Sequence, residues 1–393
     1  MINFKSPRKY SLPFNIILFN LCRLWPFRNK RIWIFGAWEG KKFDDNSKYL
    51  IQYVKKLHGD KVRAIWLTNN LDALNKTRSL GIESYLNSSA TGKWLQLRAG
   101  VSIYTNGLKD FGVFPLIGGS TVVALWHGMS FKRIYNGTYK GVALIGKKML
   151  DRFFSWTYRD VTIVTSEYGA KWCSEMFTLN KKEIYITGQP RNDAFKNLDK
   201  REVLRNTTIS PFKKILLYMP TYRKPSLGID AMTKIIEELY NNKYLSNILD
   251  ASDSVFVAKL HPLTPHIDLK NRDNFTILDY AAVENNQDLL GIADCLVTDY
   301  SSCFVDYALL NRPIIFYTPD EDAFLKHSEK MDNIFFEIKK LNYASEPKEL
   351  AEKLQNSSIN VAQVTNEIYE DKDIRGTCYS ENVYNLICKK IGI

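Results

Sequence analysis

Short apolar runs recur along the first half of the chain at intervals of 20–40 residues, with helix-like stretches between them. Each run is rich in β-branched and aromatic residues, which is typical of parallel strands that are buried on both faces. The alternation of such strands with helices predicts a βαβ architecture. The predicted strands of this half are Ile32–Phe35, Val62–Leu67, Val101–Tyr104, Thr121–Leu125, Val161–Thr165 and Ile184–Thr187.

The same alternation restarts after a charged, weakly periodic stretch at about residues 196–213. A chain of 393 residues suits two domains. We therefore predict two doubly wound, Rossmann-like α/β domains, residues 1–205 and 206–393, that face a ligand-binding cleft. The predicted strands of the second half are Ile215–Tyr218, Val255–Lys259, Phe275–Ile277, Cys295–Thr298 and Pro313–Tyr317, and helices are predicted at Glu237–Leu239, at Leu289–Ala293 and from Pro347 onward.

The composition favours an anionic partner, because the net charge is +12 and the sequence pI is about 9.2. No RNP-type aromatic pattern or zinc-finger spacing is present, so we expect no nucleic-acid partner. The chain also has no Walker-type phosphate loop, no GxGxxG motif and no CxxC spacing among its six cysteines. We therefore expect a reducing compartment, no tightly held metal and no cofactor.

The most apolar N-terminal run, Phe14–Trp25, contains Arg23 and is too short for a membrane span, which needs about 20 residues. Two segments nevertheless combine basic and bulky apolar residues in the manner of helices that lie on anionic lipid: the chain up to Lys42, and residues 129–160. The sequence thus predicts a peripheral protein at the cytoplasmic face of the membrane. A solvated helix face over an ordinary core is the alternative for both segments.

Two histidines follow predicted strands, one in each half of the chain. His127 lies in the segment Trp126-His127-Gly128, and His261 precedes Pro262. In this architecture ligands bind at the carboxyl edge of the sheet, where both histidines are expected. An imidazole at the first position can take a proton from an attacking hydroxyl, and one at the second can donate a hydrogen bond to a phosphate oxygen. A histidine that only caps a turn is the alternative at each position.

A serine-containing turn follows the predicted strand Cys295–Thr298. The strand runs into Asp299, and Ser301 and Ser302 open a helix whose free amide groups and hydroxyls suit a pyrophosphate. Asp306 lies four residues after Ser302 on the same helix face, where it can accept hydrogen bonds from ribose hydroxyls. The turn is therefore the predicted nucleotide site, and simple N-capping with a solvated Asp306 is the alternative.

Two arginines stand at further strand exits. Arg191, in the segment Gly188-Gln189-Pro190-Arg191, follows the last predicted strand of the first domain, and Arg223 follows the first strand of the second. A guanidinium fork beside the predicted cleft can hold phosphate oxygens. An ordinary surface arginine is the alternative at either position.

Together, five segments of the chain resemble the CDP-glycerol glycerophosphotransferase family of teichoic acid and capsule synthesis. They are WHGMSFKRI, GQPRND, YMPTYR, KLHP and VTDYSSCFVDYALLNRPIIFY, in the family's order, and the resemblance covers about residues 30–330. It implies a GT-B-like fold and the transfer of glycerol phosphate or ribitol phosphate from the CDP-alditol, with release of CMP. It also implies a membrane-bound saccharide acceptor that is linked to undecaprenyl diphosphate.

The resemblance also implies roles for individual residues. His127 corresponds to the catalytic base, and His261 to a second essential histidine at the donor phosphates. Four side chains are implied to contact the pyrophosphate of the donor, namely Arg191, Arg223, Ser301 and Ser302. The segment Met129-Ser130-Phe131 stands where the family more usually has Thr-Pro-Leu, a departure that bears on the acceptor side.

The chain length is close to that of a bare catalytic unit, whereas polymerases of the family often carry a further N-terminal domain. The expected activity is therefore the priming step, in which the first glycerol phosphate is transferred from CDP-glycerol. A ribitol-phosphate or polymerising enzyme of the same family is one alternative, and a GT-B glycosyltransferase that uses a nucleotide sugar is another. A non-catalytic basic protein that binds anionic lipid or nucleic acid is the alternative from a different functional class.

Overall fold

The computed structural model describes residues 11–134, 141–143, 145–146, 159–177, 179–196, 198–228, 230–278, 282–283, 285–327, 330–356, 361–369 and 374–393. The chain divides into two compact units. The first unit comprises Met1–His127, Tyr135–Asp193 and Asp373–Ile393, and the second comprises Gly128–Ile134 and Ala194–Lys372.

The first unit is built on a parallel sheet. Its strands are β1 (Asn29–Gly36), β2 (Arg63–Thr68), β3 (Ser84–Leu86), β4 (Ala99–Tyr104), β5 (Thr121–Ala124), β6 (Val161–Val164) and β7 (Ile184–Ile186). They lie in the order β3-β2-β1-β4-β5-β6-β7, which is the doubly wound arrangement. Strand β3 was not predicted, because its three residues form a run too short to distinguish from a turn. The other strands confirm the predicted βαβ pattern.

Among the described residues, five helices precede or connect these strands. They are α1 (Ser11–Cys22), α2 (Asp45–His58), α3 (Leu71–Ser79), α4 (Ala90–Arg98) and α5 (Glu167–Phe177), with shorter 3-10 turns at Trp38–Gly40, Leu108–Phe111, Lys181–Glu183 and Pro190–Phe195. In α2, Leu50, Ile51 and Val54 are spaced for one helix face and join a core that contains Trp33 and Phe35 of β1. The amphipathic pattern of the sequence is thus sufficient to seat this helix on the sheet.

The second unit repeats the plan with a smaller parallel sheet. Its strands are β8 (Lys214–Met219), β9 (Ser254–Ala258), β10 (Phe275–Ile277), β11 (Cys295–Thr298), β12 (Ile314–Tyr317) and β13 (Tyr343–Ala344). Their order is β10-β9-β8-β11-β12-β13, again doubly wound. The two-residue strand β13 was missed for the same reason as β3.

The helices of the second unit pack around this sheet. They are α6 (Lys200–Leu204), α7 (Ala231–Asn241), α8 (Lys243–Ala251), α9 (Asn286–Ile292), α10 (Cys303–Ala308), α11 (Glu321–His327), α12 (Asn333–Lys340), α13 (Pro347–Gln355) and α14 (Val361–Ile368), with a 3-10 turn at Pro225–Leu227. The helices predicted around Glu237 and Leu289 correspond to α7 and α9. In α7, Ile235, Ile236 and Leu239 are buried in the core of the unit.

A final helix, α15 (Tyr379–Ile391), belongs to the first unit although it follows the whole second unit in sequence. Its buried residues Val383, Ile387 and Ile391 join the same core as α2. This arrangement differs from the predicted division at residue 205, which assigns the C-terminal helices to the second domain. An amphipathic pattern shows that one helix face is buried, but it does not show which core receives that face.

Asp193, the last residue of the first unit before the chain enters the second, fixes the start of α15. Its carboxylate accepts hydrogen bonds from the backbone N–H groups of Tyr379 (2.9 Å) and Ser380 (2.8 Å). A carboxylate in this position satisfies otherwise orphaned amide groups and favours the positive end of the helix dipole. The GQPRND segment therefore also anchors the returning chain.

The structure describes more of the first segment predicted to lie on a membrane than of the second. The first contains α1, which the structure describes. Most of the second, residues 129–160, lies outside the described residues, because 135–140, 144 and 147–158 are not among them. Across the described part of the chain, no helix is long and apolar enough to cross a membrane.

Candidate active site

The strand order of each sheet reverses beside the first strand of the unit, between β1 and β4 in the first and between β8 and β11 in the second. Loops that leave the carboxyl ends of strands at such a switch point form the ligand site of doubly wound folds. The predicted site residues follow β5 and β7 in the first unit, and β8, β9 and β11 in the second. Each unit therefore gathers its candidate residues at that edge of its own sheet.

His127 lies just beyond the end of β5 in an aromatic setting. Its ring centroid is 4.2 Å from that of Trp126 and 6.1 Å from that of Trp38. Burial lowers the pKa of His127 to about 4; the Arg191 guanidinium acts in the same direction, and a hydrogen bond to the backbone of Thr105 acts against it. The imidazole is therefore neutral at neutral pH, which is the state that a general base requires.

A hydrogen-bond network fixes the backbone around this histidine. The buried Asn46 donates from Nδ2 to the carbonyl of Trp126 (2.8 Å) and accepts at Oδ1 from the backbone N–H of Arg191 (3.0 Å). The Arg191 guanidinium donates from Nη1 to the carbonyl of His127 (2.9 Å) and to Asp45 (3.2 Å). Arg191 thus positions the histidine, and its contact with the pyrophosphate stays a prediction.

Strained backbone is concentrated in the segments that adjoin His127. Trp38, Glu39, Asp45 and Trp126 all have φ between 51° and 63°, and they are four of the six non-glycine residues with positive φ in the described ranges. Such angles persist only where the surrounding structure holds them, and they cluster at functional sites. The clustering supports the choice of this edge of the first sheet as the candidate site.

Asp110 is the fully buried carboxylate that holds this edge together. It accepts hydrogen bonds from the backbone N–H groups of Glu39 (2.7 Å), Thr105 (2.9 Å) and Asn106 (2.9 Å). Burial raises the pKa of Asp110 to about 6, although the three backbone hydrogen bonds lower it. Asp110 therefore ties the exit of β4 to the exit of β1 at the switch point.

Arg223 forms the buried centre of the corresponding edge in the second unit. The residue is 5% exposed, and its Nη1 donates to Asp299 (2.7 Å) and to the carbonyl of Thr221 (2.7 Å). Its Nε and Nη2 form a two-pronged contact with Asp320 (2.6 and 2.9 Å). These charge-assisted bonds tie together the exits of β8, β11 and β12. The geometry favours a positioning role for Arg223 and Asp299; the contact of Arg223 with the pyrophosphate and the substrate-binding role of Asp299 stay predictions.

His261, beyond the end of β9, is exposed. Its Nδ1 accepts a hydrogen bond from the backbone N–H of Leu263 (3.1 Å), and its ring centroid lies 5.2 Å from that of Tyr222. Because Nδ1 is an acceptor, the neutral ring carries its proton on Nε2. An Nε2–H group is the donor that the predicted phosphate contact requires.

The predicted helix after β11 is present as α10, and Ser302 is its N-cap residue. The Ser302 side chain makes no capping hydrogen bond, while the Ser301 hydroxyl lies 3.5 Å from the backbone nitrogen of Cys303. Asp306 is 2% exposed and accepts a hydrogen bond from Gln287 Nε2 (3.2 Å). A solvated Asp306, the alternative considered above, is wrong, and the ribose contact stays a prediction.

Three carboxylates in these sites are paired with arginines. Asp45 pairs with Arg191, and Asp299 and Asp320 pair with Arg223. Among the residues that the structure describes, no group of three or more histidine, cysteine, aspartate or glutamate side chains could hold a metal ion.

The family described as CDP-Glycerol:Poly(glycerophosphate) glycerophosphotransferase matches residues 17–387 of the chain. The chain belongs to this family. The protein is therefore an enzyme of the glycerophosphotransferase family, as the five motifs implied, and a non-catalytic basic protein is no longer a competing interpretation.

Relatives of this chain are enzymes of teichoic acid synthesis. The teichoic acid poly(glycerol phosphate) polymerase of Staphylococcus epidermidis is 28% identical over 343 residues, which are 82% of this chain and 45% of the relative. The chain thus spans less than half the length of that relative. The teichoic acid glycerol-phosphate transferase of Staphylococcus aureus is 26% identical over 330 residues, which are 79% of each protein.

A solved structure of the wall teichoic acid polymerase TagF has the same fold as this chain. It matches with a TM-score of 0.73 at 24% sequence identity over 99% of both chains. The likeness confirms the predicted GT-B-like fold class. At 24% identity, this likeness bears on the fold alone.

Sequence reasoning missed several residues that support the candidate sites. Asp45 and Asn46 showed only the usual signal of a helix start, a cluster of short polar residues before an amphipathic stretch. Asp110 and Asp320 had no local signal, because their partners are distant in sequence. Trp38 was visible only as one aromatic residue among many.

Proposed function

We propose that this enzyme transfers glycerol phosphate from CDP-glycerol to a hydroxyl of a saccharide that is linked to undecaprenyl diphosphate, and that it releases CMP. The observation that carries the proposal is the partly buried, neutral imidazole of His127 in a chain that belongs to the glycerophosphotransferase family. We assign the enzyme to the priming step, in which the first glycerol phosphate is added.

The first unit supplies the base in this proposal. His127 removes the proton from the acceptor hydroxyl, and the oxygen attacks the β-phosphorus of CDP-glycerol in line. The bond between that phosphorus and the bridging oxygen breaks, and CMP leaves. Asn46 and Arg191 contribute by fixing the backbone that carries the imidazole, so that little reorganisation is needed when the acceptor arrives.

The second unit stabilises the leaving group in this proposal. His261 donates from Nε2 to a phosphate oxygen, and the start of α10 at Ser301 and Ser302 offers amide and hydroxyl groups to the pyrophosphate. Each preorganised donor of this kind is worth roughly 2–4 kcal/mol of the barrier. Asp306 is the proposed partner of the ribose, and Arg223 keeps the neighbouring strand exits in place.

Two comparisons support the choice of donor. The S. aureus relative is a glycerol-phosphate transferase, and it is matched over 79% of its length. A TagF structure at 24% identity is described with CDPG. Other relatives are ribitol-phosphate polymerases, for example in S. aureus at 27% identity over 215 residues. The donor is therefore the first property to measure.

Incubation of the purified protein with CDP-glycerol and CDP-ribitol in parallel tests the function. With a lipid-linked disaccharide acceptor, we expect CMP release from CDP-glycerol and an acceptor mass that increases by one glycerol phosphate. CMP release that depends on CDP-ribitol would show that the donor is CDP-ribitol. Addition of many units to one acceptor would show a polymerase in place of a priming enzyme. Turnover of a nucleotide sugar with neither CDP-alditol active would refute the proposal.

We also propose that the enzyme binds peripherally to the cytoplasmic face of the membrane through α1. Phe14, Ile17 and Leu21 of α1 recur at intervals of three and four residues, and Leu24 follows in the turn after the helix; these four residues are 54%, 59%, 58% and 79% exposed. Residues at this spacing form one helix face. The stripe is thus turned to solvent, which suits burial in an acyl boundary.

Basic residues continue from this stripe. Arg23 adjoins the last residue of the stripe, Lys30 and Arg31 follow within seven residues of it, and all three are exposed. Each lysine or arginine near an anionic surface adds about 1 kcal/mol to binding, and each fully buried Leu or Ile side chain adds about 1.5–3 kcal/mol. The partner that fits this combination is an anionic lipid surface.

Substituting serine for Ile17, Leu21 and Leu24 together is expected to lower binding to vesicles that contain anionic phospholipid by at least about tenfold. Co-sedimentation with vesicles measures the change. Leu71→Ser is the matched control, because Leu71 is equally exposed (62%) and lies on α3. Equal binding by the triple variant and the control would place the membrane contact elsewhere.

A further inference from the structure

An indole is exposed beside the proposed catalytic base. Trp38 is 37% exposed, and its ring lies 6.1 Å from that of His127 at an angle of 40°. Tryptophan provides one of the largest rigid apolar surfaces available to a ligand. A partly exposed indole at this distance is therefore placed to contact whatever His127 deprotonates.

The loop that carries Trp38 is held in an unusual conformation. Trp38, Glu39 and Gly40 have φ of 51°, 55° and 74° in succession. The backbone N–H of Trp38 donates to Asn106 (3.0 Å), and the carbonyl of Gly40 accepts from the backbone of Asn69 (2.6 Å). Strain that is maintained by neighbouring bonds fixes the indole before a ligand arrives, and preorganisation of this kind improves binding.

We propose that Trp38 is the platform on which the saccharide end of the acceptor stacks, so that a hydroxyl of that sugar meets His127. The inference rests on the proposed function, because the acceptor hydroxyl is the group that loses its proton to His127. A sugar ring presents C–H groups on its face and packs on an indole at about 4 Å. Its hydroxyls project from the edge of the ring, toward the neighbouring imidazole.

The chemistry of the platform favours one class of acceptor. A flat aromatic face complements a sugar ring, whereas an open-chain glycerol phosphate polymer has no ring to stack. The exposed Lys42 places its ammonium 5.7 Å from the centre of the Trp38 ring, where it can attract the diphosphate that is joined to the sugar. Trp38 therefore selects a saccharide diphosphate, the acceptor of the priming step.

Trp38→Ala is expected to weaken binding of the saccharide by about tenfold. The probe is a disaccharide diphosphate with a short alkyl chain in place of the polyprenyl chain, and calorimetric titration measures its Kd without turnover. In the CMP-release assay the KM for this acceptor should rise by a similar factor, while the KM for CDP-glycerol is unchanged. Trp38→Phe should restore most of both values, because a phenyl ring keeps the aromatic face.

Trp94→Ala is the matched control, since Trp94 is 51% exposed on α4 of the same unit. We expect it to bind the disaccharide diphosphate as the wild type does. Equal binding by Trp38→Ala and wild type, or a raised KM for CDP-glycerol in place of the acceptor, would overturn the platform. If Trp38→Ala loses binding of the disaccharide diphosphate but the wild type itself releases no CMP, the stacking platform stands and the proposed function is refuted.

Discussion

Replacing His127 with alanine is expected to lower the rate of CMP release from CDP-glycerol by at least about a hundredfold. The imidazole is neutral because burial lowers its pKa to about 4, and no other histidine is in ring contact with it among the described residues. Since the substitution removes the proposed base and leaves the second unit untouched, kcat and kcat/KM should fall together. Initial rates of CMP release with the lipid-linked acceptor measure the effect.

His58→Ala is the control for this experiment. His58 belongs to the same unit but stacks on Tyr384, with ring centroids 3.8 Å apart and an interplanar angle of 6°. Loss of this histidine should leave turnover close to that of the wild type. Near-normal turnover in His127→Ala would show that another group takes the proton.

The depressed pKa of His127 also predicts the shape of the pH profile. Protonation removes the base, so kcat/KM is expected to hold as the pH falls through 6.5, the ordinary value for histidine, and to decline only as it approaches 4. Arg191→Met removes the guanidinium that helps to lower the pKa of His127, so the decline in kcat/KM should move to higher pH. Burial is the larger cause, so the shift is expected to be partial.

Replacing Arg223 with alanine is expected to lower the free energy of unfolding by about 3–5 kcal/mol. The substitution leaves the carboxylates of Asp299 and Asp320 without their common cation, and Asp299 is fully buried. An uncompensated buried charge is costly because it has lost its hydration without gaining a partner. Urea denaturation followed by circular dichroism measures the change.

Arg63→Ala is a control with matched geometry. Arg63 also holds a carboxylate with two bonds, to Glu83 at 2.9 and 2.7 Å, but its side chain is 53% exposed. Exposed pairs of this kind contribute about 0–1 kcal/mol. Equal stability of the two variants would remove the positioning role of Arg223 and leave its predicted contact with the pyrophosphate as the better explanation. Arg223→Lys, which keeps the charge without the fork, should lie between alanine and wild type.

The sequence was sufficient for the strands that carry the motifs, because buried parallel strands are continuous apolar runs. Strands β3 and β13 have three and two residues, and they are defined by pairing to neighbours that local periodicity does not reveal. The position of α15 was not predicted for the same reason, since it too depends on contacts between residues that are distant in sequence. Its apolar face is evident from the sequence, but only packing decides that it lies on the core that contains α2.

The sequence predicted where the candidate charged and titratable residues lie, at strand ends, but not the contacts that support them. His127, Arg191 and His261 stand at strand ends, which the sequence marks clearly. The environment of each depends on residues that are remote along the chain: Asn46 contacts the segment of Arg191 across 145 positions. The sequence around Arg223 is compatible with a contact to a phosphate. In the structure its guanidinium is instead paired with two carboxylates, and no local sequence pattern distinguishes a ligand-binding arginine from one that is paired within the protein.

The return of α15 to the first unit sets the order in which the molecule can be completed. During synthesis the ribosome must translate all of the second unit before the segment that Asp193 caps becomes available to the first. The first unit, although most of it is synthesised first, is therefore completed only after the whole second unit has been made. Shortening the polypeptide from its C-terminal side would expose Leu50 and Val54 and damage the half that carries the proposed base, rather than the half in which the cut is made.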